Sequence, residues 1–446
     1  MPQTGSVPQT GSVPQTARSS QTARSQTLWR NPDFLRFWSG EALSLFGTQV
    51  TNLALPLTAV IAFNSSAQLV GLLRFLQLIP YLFLALVFGV WVDRRRRKPV
   101  MMLANAVRMV LIALVPLLWH LHLLTITGLL VIATGVGIFS VLFDVSWMSF
   151  VPALVKDSTL YVEANQKLAV TQSTTDVSGP GVAGVLISWL GAPTAMSVDA
   201  LSYLASLVGL LLIRTPEPAP PITAGTRSFR RELADGMRWV FGNRTLRALA
   251  VFAPFTNFSL TCVLTLFLLY GVRAKGLSPA QVGLVLSVAS VGALAGALIS
   301  KTIIRRYRIG LVYGLALAGI YAGPVLLPVA GGPRPVLIGL FMLTFLICNF
   351  GSGLSNVMQI TLRQTCTPQS MMGRMNAAFR TLLFGGAALG GLAAGLVGGA
   401  LGLRAGITLV AICSAGMVVP LALSRVVRLR AMPEPMTDPI PTTPAM

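Results

Sequence analysis

Apolar residues in this chain fall into runs of membrane-spanning length. Windows of about 20 residues with few charges recur near 38–63, 69–92, 99–121, 126–146, 165–189, 193–213, 246–271, 279–300, 309–330, 335–358, 375–401 and 405–427. The polar interruptions between them are mostly short, so the pattern predicts twelve helices that cross a bilayer back and forth. One longer polar segment, 214–245, divides them into two groups of six at 31–213 and 246–430. Within it, Arg231-Glu232-Leu233-Ala234-Asp235-Gly236-Met237-Arg238-Trp239 reads as an amphipathic helix lying on the membrane surface. Residues 1–30, with a duplicated Gln-Thr-Gly-Ser-Val-Pro, and the Pro-rich 431–446 are expected to be disordered tails, with no secretory signal at the start.

Composition agrees with that pattern. Of 446 residues, 54% are hydrophobic and 11% charged, with a mean hydropathy of +0.73; a soluble domain is about a quarter charged. The net charge of +21 raises the question of nucleic acid, and its placement answers it. Of the 34 Lys and Arg, only Arg273, Lys275, Arg334 and Arg404 fall in the loops placed outside. Positive-inside orientation and contact with anionic lipid account for such a bias, so no nucleic acid is expected and both termini are placed in the cytoplasm. Cys262, Cys348, Cys366 and Cys413 lack paired or metal-like spacing, and His120 and His122 read as a surface-loop pair. No metal, no cofactor and no enzymatic constellation is expected.

The most concentrated polar feature is Gly89-Val90-Trp91-Val92-Asp93-Arg94-Arg95-Arg96-Arg97-Lys98, one acid and five bases between the second and third apolar runs. Gly-x-x-x-Asp-Arg-x-x-Arg-Lys at this place resembles motif A of the major facilitator superfamily, carried by Gly89, Asp93, Arg94, Arg97 and Lys98, with Arg96 where the family usually has glycine. Further segments are similar to the exporter branch that includes enterobactin and macrolide efflux proteins. They are Asn31-x-Asp33-Phe34-x-x-x-Trp38, Ala54-Leu55-Pro56, Phe143-Asp144 with Pro152-x-Leu154, Glu163-Ala164-Asn165 and Asp199-Ala200-Leu201-Ser202-Tyr203. Gly179-Pro180 and Gly184 resemble the antiporter motif C, a place for a helix to bend, although ordinary small-residue packing suits them equally.

The resemblance implies an all-α membrane protein of two pseudo-symmetric six-helix bundles. It also implies that motif A acts as a latch, with Arg97 on Asp144 and Asp93 facing the start of the eleventh helix near Gly373. Such contacts join the halves only when the cytoplasmic side is shut. The second half echoes the motif weakly: Lys301, Arg305, Arg306 and Arg308 follow the eighth helix, with Ser300 where Asp93 would stand.

The acids placed within the membrane, Glu41, Asp144, Asp176 and Asp199, all belong to the first half. Asp144 is committed to the latch by the resemblance, which leaves Asp176, Asp199 and Glu41 as candidate proton carriers. Asp176 is preferred for its place beside Gly179-Pro180. Arg74 is a candidate partner for Asp176 or Asp199, or a substrate contact, and those acids have hydrogen bonds to Ser or Thr as an alternative. Arg108 is close enough to the cytoplasmic end of its helix to snorkel, and Glu41 is near enough to Arg36 to pair with it. Phe46, Gln49, Asn52, Phe75, Gln77, Phe255, Asn257, Phe258 and Asn349, near middle depth, suit either a large amphipathic molecule or simple packing. Gly386, Gly390, Gly391, Gly395 and Gly399 supply a close-packing face in the eleventh helix.

The resemblance implies a monomeric, multi-pass transporter of the cell membrane. It would export drugs or secondary metabolites resembling macrolides or siderophores, in exchange for protons, by alternating access. An importer of the same fold is the main alternative, and a membrane sensor or enzyme a lesser one.

Overall fold

In a computed structural model the described residues are Leu28, 31–155, 160–217, 229–424 and 426–429. Both expected tails and residues 218–228 of the polar segment therefore lie outside them, Leu28 excepted. The described residues are helical almost throughout.

The first bundle comprises α1 (Pro32–Leu57), α2 (Ala67–Asp93), α3 (Arg97–His120), α4 (Ile126–Leu154), α5 (Tyr161–Leu190) and α6 (Ala192–Leu212). Then α7 (Phe229–Gly242) leads into the second bundle, which begins with α8 (Arg244–Leu269), α9 (Pro279–Arg306), α10 (Ile309–Ala322) and the short α11 (Leu326–Val329). It closes with α12 (Arg334–Thr365), α13 (Met372–Leu401), α14 (Leu403–Gly416) and the short α15 (Val418–Leu423). In the first bundle α1 packs on α5 and α6, and α4 on α2 and α3; in the second, α12 packs on α9 and α10, and α13 on α8. The bundles meet along α2 with α13 and α5 with α9.

Eleven of the spans are long and apolar enough to cross a membrane. The expected helix that does not meet that test is α5, which has the length, 30 residues, but carries Gln172, Ser173, Thr174, Thr175, Asp176 and Ser178 through its middle. A helix this polar at membrane depth has to face protein or water, and α5 does so by packing between α1 and α9.

The two halves repeat each other in devices that sequence comparison missed. Asn31 and Asn243 cap α1 and α8, each accepting from the amides two and three residues on. Both helices run 26 residues and continue as one π-helical turn, Thr58–Ala62 and Tyr270–Ala274. Ser66 and Ser278 cap the next helices. Two further joints, one in each half, are single glycines: Gly191 (φ 81°, ψ 153°) between α5 and α6, and Gly402 (φ 79°, ψ 163°) between α13 and α14. That region of backbone space is essentially closed to residues with a Cβ. Gly191→Ala is therefore expected to lower stability by roughly 1–3 kcal/mol, read as a fall in the unfolding midpoint in detergent. An unchanged midpoint would contradict it.

The glycine-rich α13 presents two stripes, a refinement of the single face expected. Residues next to each other in sequence lie about 100° apart around a helix, so Gly386 and Gly390 meet Pro254 and Phe258 of α8 while Gly391, Gly395 and Gly399 meet α2.

Candidate functional site

The motif A block sits at the end of the bundle where the chain enters and where α6 leads towards α7; we call this the basic end. Arg96, the N-cap of α3, gives the helix no side-chain bond, and the first-turn amides need an acceptor. Glu217 supplies it, accepting from the Arg97 and Lys98 amides at 2.6 and 3.1 Å, with the Arg97 guanidinium 3.7 Å away. Lys98 Nζ donates to Ile213 O (2.8 Å). These two bases thus turn back to their own half, and Arg97 lies on Glu217 where Asp144 was expected. The Asp93 side chain, for which the start of α13 near Gly373 was the expected docking point, lies outside the described residues; among those residues nothing stands within 4 Å of a Cβ built on Gly373.

Asp33 explains the Asn-x-Asp entry in physical terms. While Asn31 caps α1, Asp33 accepts from the Arg214 and Thr215 amides and the Thr215 hydroxyl, tying the start of α1 to the end of α6. It also pairs with Arg36 at 2.8 Å. Glu41, for which Arg36 was a candidate partner, is instead buried, 6% exposed, with its Oε2 lacking a hydrogen bond among the described residues.

Arg108 does not snorkel. It is 5% exposed, donates to Asn105, and places its guanidinium 4.3 Å from the Phe143 ring centre and 4.5 Å from that of Tyr203. Asn105 in turn donates to Ser206 (2.9 Å). Glu41, Asp144 and Asp199 all lie within electrostatic reach of this one cation.

The structure separates the candidate acids by access. Asp199 is 0% exposed, accepts from Thr51 and from Ser202 (3.0 Å), and sits against Gly47, where any Cβ would collide with it; it fastens α6 to α1. Asp144 accepts from Tyr81 (2.8 Å), and Tyr81 stacks on Phe384 of the other half with ring centres 4.4 Å apart. Arg380 reaches over that Phe384 ring. Tyr81, Phe384 and Arg380 escaped the sequence reading, although Arg380 stands out as a base well inside a membrane helix. Asp176 is half-buried on α5 and accepts from Gln49 (2.9 Å) and Gln172 (2.8 Å), so neither it nor Asp199 pairs with Arg74.

Between the halves lies a cavity of about 180 Å³ walled by Gln49, Asn52, Leu53 and Pro56 of α1, Val70 and Arg74 of α2 and Pro180 of α5, with Leu264, Thr265, Leu268 and Leu286 opposite. Of the other residues considered for substrate, Gln77 bonds Arg74, and Asn257 and Asn349 spend their amides on their own helices' carbonyls. Phe255 and Phe258 lie together with ring centres 6.0 Å apart.

Away from the basic end the cavity is closed by backbone. A Cβ on Gly71 would fall 2.5 Å from Gly395 Cα, and one on Gly184 2.6 Å from Pro279 O and 3.0 Å from Gly283 Cα. Gly181 N donates to Ser287 (2.8 Å), Ala280 N to Ser188 (3.0 Å), and Arg273 donates to Ser65 O (2.6 Å) and Val60 O (3.1 Å). Gly179 rests on the Gln49 stem. The motif C-like segment is thus a close crossing within a helix that stays continuous through Pro180.

A family model described as Major Facilitator Superfamily matches residues 37–391. The chain belongs to the Major Facilitator Superfamily. Among curated proteins this superfamily member is similar to the multidrug efflux pump Tap of Mycolicibacterium fortuitum, 26% identical over 369 residues, 80% of this chain and 87% of the relative. It is also similar to the enterobactin exporter EntS of Citrobacter koseri, 28% identical over 426 residues, 91% and 94% of the two chains. Among solved structures, the fold of this superfamily chain matches a point mutant of the nucleoside transporter NupG with a TM-score of 0.71 at 13% identity, covering 88% of this chain and 98% of that one. It matches a bacterial homologue of the iron transporter ferroportin with a TM-score of 0.68 at 17% identity, covering 89% and 100%. It is a multi-pass membrane transporter.

Proposed function

We propose that this transporter is a proton-driven exporter of amphipathic drugs or secondary metabolites, macrolide- or siderophore-like, working by alternating access. The observation that carries the reading is the cavity at the junction of the two halves, walled by both, with Gln49 linking its surface to the Asp176 carboxylate. Sealing by backbone at one end and motif A bases turned to their own half at the other suit the conformation open towards the basic end. With that end in the cytoplasm of the cell, as the charge bias implies, this is the loading state of an exporter. Similarity to Tap, named as a multidrug efflux pump, and to EntS, named as an enterobactin exporter, supports the direction.

In this reading the halves at 31–213 and 246–430 rock about the 214–245 linker of a monomer. Motif A (Gly89, Asp93, Arg94, Arg97, Lys98, with Asp144 and Gly373) latches the alternate state. Asp176 carries the proton, because it is half-exposed beside the cavity while Asp199 is held shut between α1 and α6. A protonated Asp176 still accepts from Gln49 and Gln172 but carries no charge, so its movement between the two faces costs less.

Cells expressing the wild type are expected to accumulate less ethidium and less labelled erythromycin than cells without it, and a protonophore should abolish the difference. Asp176→Asn should retain less than about a tenth of that efflux, the scale on which loss of a proton-transfer group acts, at normal membrane abundance. Higher accumulation with the wild type would favour an importer, and unchanged accumulation of both compounds would overturn export of this class. Full efflux by Asp176→Asn would remove that residue as carrier.

A further inference from the structure

Arg74 lies inside the α2 span, and its stem crosses bare backbone: a Cβ on Gly391 would stand 3.0 Å from Arg74 Cβ and Cγ. Its Nη1 donates to Gln77 Oε1 at 3.0 Å, one turn on. The ion pairs among the described residues all lie elsewhere, so this guanidinium has no carboxylate partner there. Arg108 offers the contrast, since it shares its field with three acids and is boxed between two rings. Arg74 instead faces the cavity between the halves.

A guanidinium at membrane depth without a counter-ion is expensive, and such groups persist where a pathway or ligand uses them. It carries five donors in a planar fork, of which Gln77 engages one nitrogen. The fork matches two oxygens of one anionic group. Around it the cavity is mainly aliphatic, with Leu53, Pro56, Leu264 and Leu268 beside Asn52 and Gln49. Its volume of about 180 Å³ is below the roughly 300–1,000 Å³ of pockets that enclose a drug-sized ligand, so in this conformation it holds an anionic head and the adjoining apolar part of a larger cargo.

We propose that Arg74 is the anion-recognition point of the central cavity, taking an organic carboxylate, or a sulfonate or phosphate monoester of similar size, carried on an apolar or aromatic cargo. The inference rests on the reading of this cavity as the transport site and adds the charge of what it prefers. Gln77 anchors the fork by one nitrogen, and Gln49 connects the same wall to Asp176.

The test is calorimetric titration of the purified full-length chain in detergent with three probes of one shape: 1-naphthoate, methyl 1-naphthoate and 1-naphthylmethylammonium. The wild type should bind naphthoate about tenfold or more tighter than the ester, as a charge-assisted bidentate contact provides. Arg74→Gln should bring that ratio below about 2 and Arg74→Lys leave part of it, because an ammonium keeps the charge without the fork. Gln77→Glu keeps the arginine and gives it a carboxylate of its own; it too should abolish the preference, independently of any folding defect in the position 74 variants. No preference in the wild type, whether both probes bind or neither does, overturns the anion site, as does a preference that survives Arg74→Gln. The ethidium assay keeps the two readings apart: efflux of that cation without naphthoate preference leaves transport standing and removes this site. Tightest binding of the naphthylmethylammonium would likewise overturn it.

Discussion

Gly71→Leu should yield a folded transporter that cannot seal the end opposite the motif A block. A Cβ at this position falls 2.5 Å from Gly395 Cα and 2.6 Å from both Gly391 O and Gly395 N. All three obstacles are backbone of a continuous helix, so no side-chain rotation relieves them, and α2 has to swing away from α13. Overpacking costs typically 1–3 kcal/mol even where neighbours adjust, and about 3 kcal/mol shifts a two-state equilibrium by roughly 150-fold. A reporter cysteine at Val70, which is 1% exposed and lines the cavity behind the crossing, gives the readout in a background where the exposed Cys413 is serine. Labelling of Val70→Cys by a membrane-impermeant maleimide is expected to be slow alone and fast with Gly71→Leu, with transport lost. Equal labelling and intact transport would show that the glycine crossing is not the seal.

Arg108→Met should be the most destabilising conservative-sized change in the first bundle. It removes the cation that Glu41, Asp144 and Asp199 share, together with the bond to Asn105 and the contacts with Phe143 and Tyr203. Losing a buried hydrogen bond leaves Asn105 without its partner at a cost of about 1–3 kcal/mol, and each ring contact of a desolvated guanidinium adds roughly 0.5–2 kcal/mol. Arg108→Lys keeps the charge and loses the planar stacking, so its loss should be smaller. Thermal unfolding in detergent ranks the variants: wild type above lysine above methionine. Adding Asp199→Asn to Arg108→Met should recover part of the deficit. A methionine variant as stable as wild type would mean that the cluster does not depend on its cation.

The helices, their antiparallel order and the motif A loop were legible in the sequence because each depends on a contiguous stretch: an apolar run, a charge block or a glycine pair. What escaped depends on pairs far apart in sequence. Glu217 serves the start of α3 from 119 and 120 residues away, and Asp33 meets residues 214 and 215 from 181 and 182 away. Glu217 leaves no local signature beyond an unremarkable acid, and the Asn31-x-Asp33-Phe34 entry marks Asp33 without naming its partner. Arg108 illustrates a different failure: distance from the helix end suggested snorkelling, but two aromatic rings from α4 and α6 close over the guanidinium. The candidate acids were found by type and depth; their access to the cavity is set by Thr51, Ser202 and Gln49, whose roles appear only once α1 packs on α5 and α6.

The glycine joints at 191 and 402 also limit how the bundle is able to move. A connection of one residue holds no slack, so α5 cannot turn about its own axis or slide without dragging α6, and α13 is tethered to α14 in the same way. Since α6 is fastened to α1 through Asp199 and Thr51, a displacement at Asp176 reaches α1 along two routes, directly through Gln49 and around the hairpin. The three helices therefore behave as one stiff lever, whose fulcrum must lie outside them.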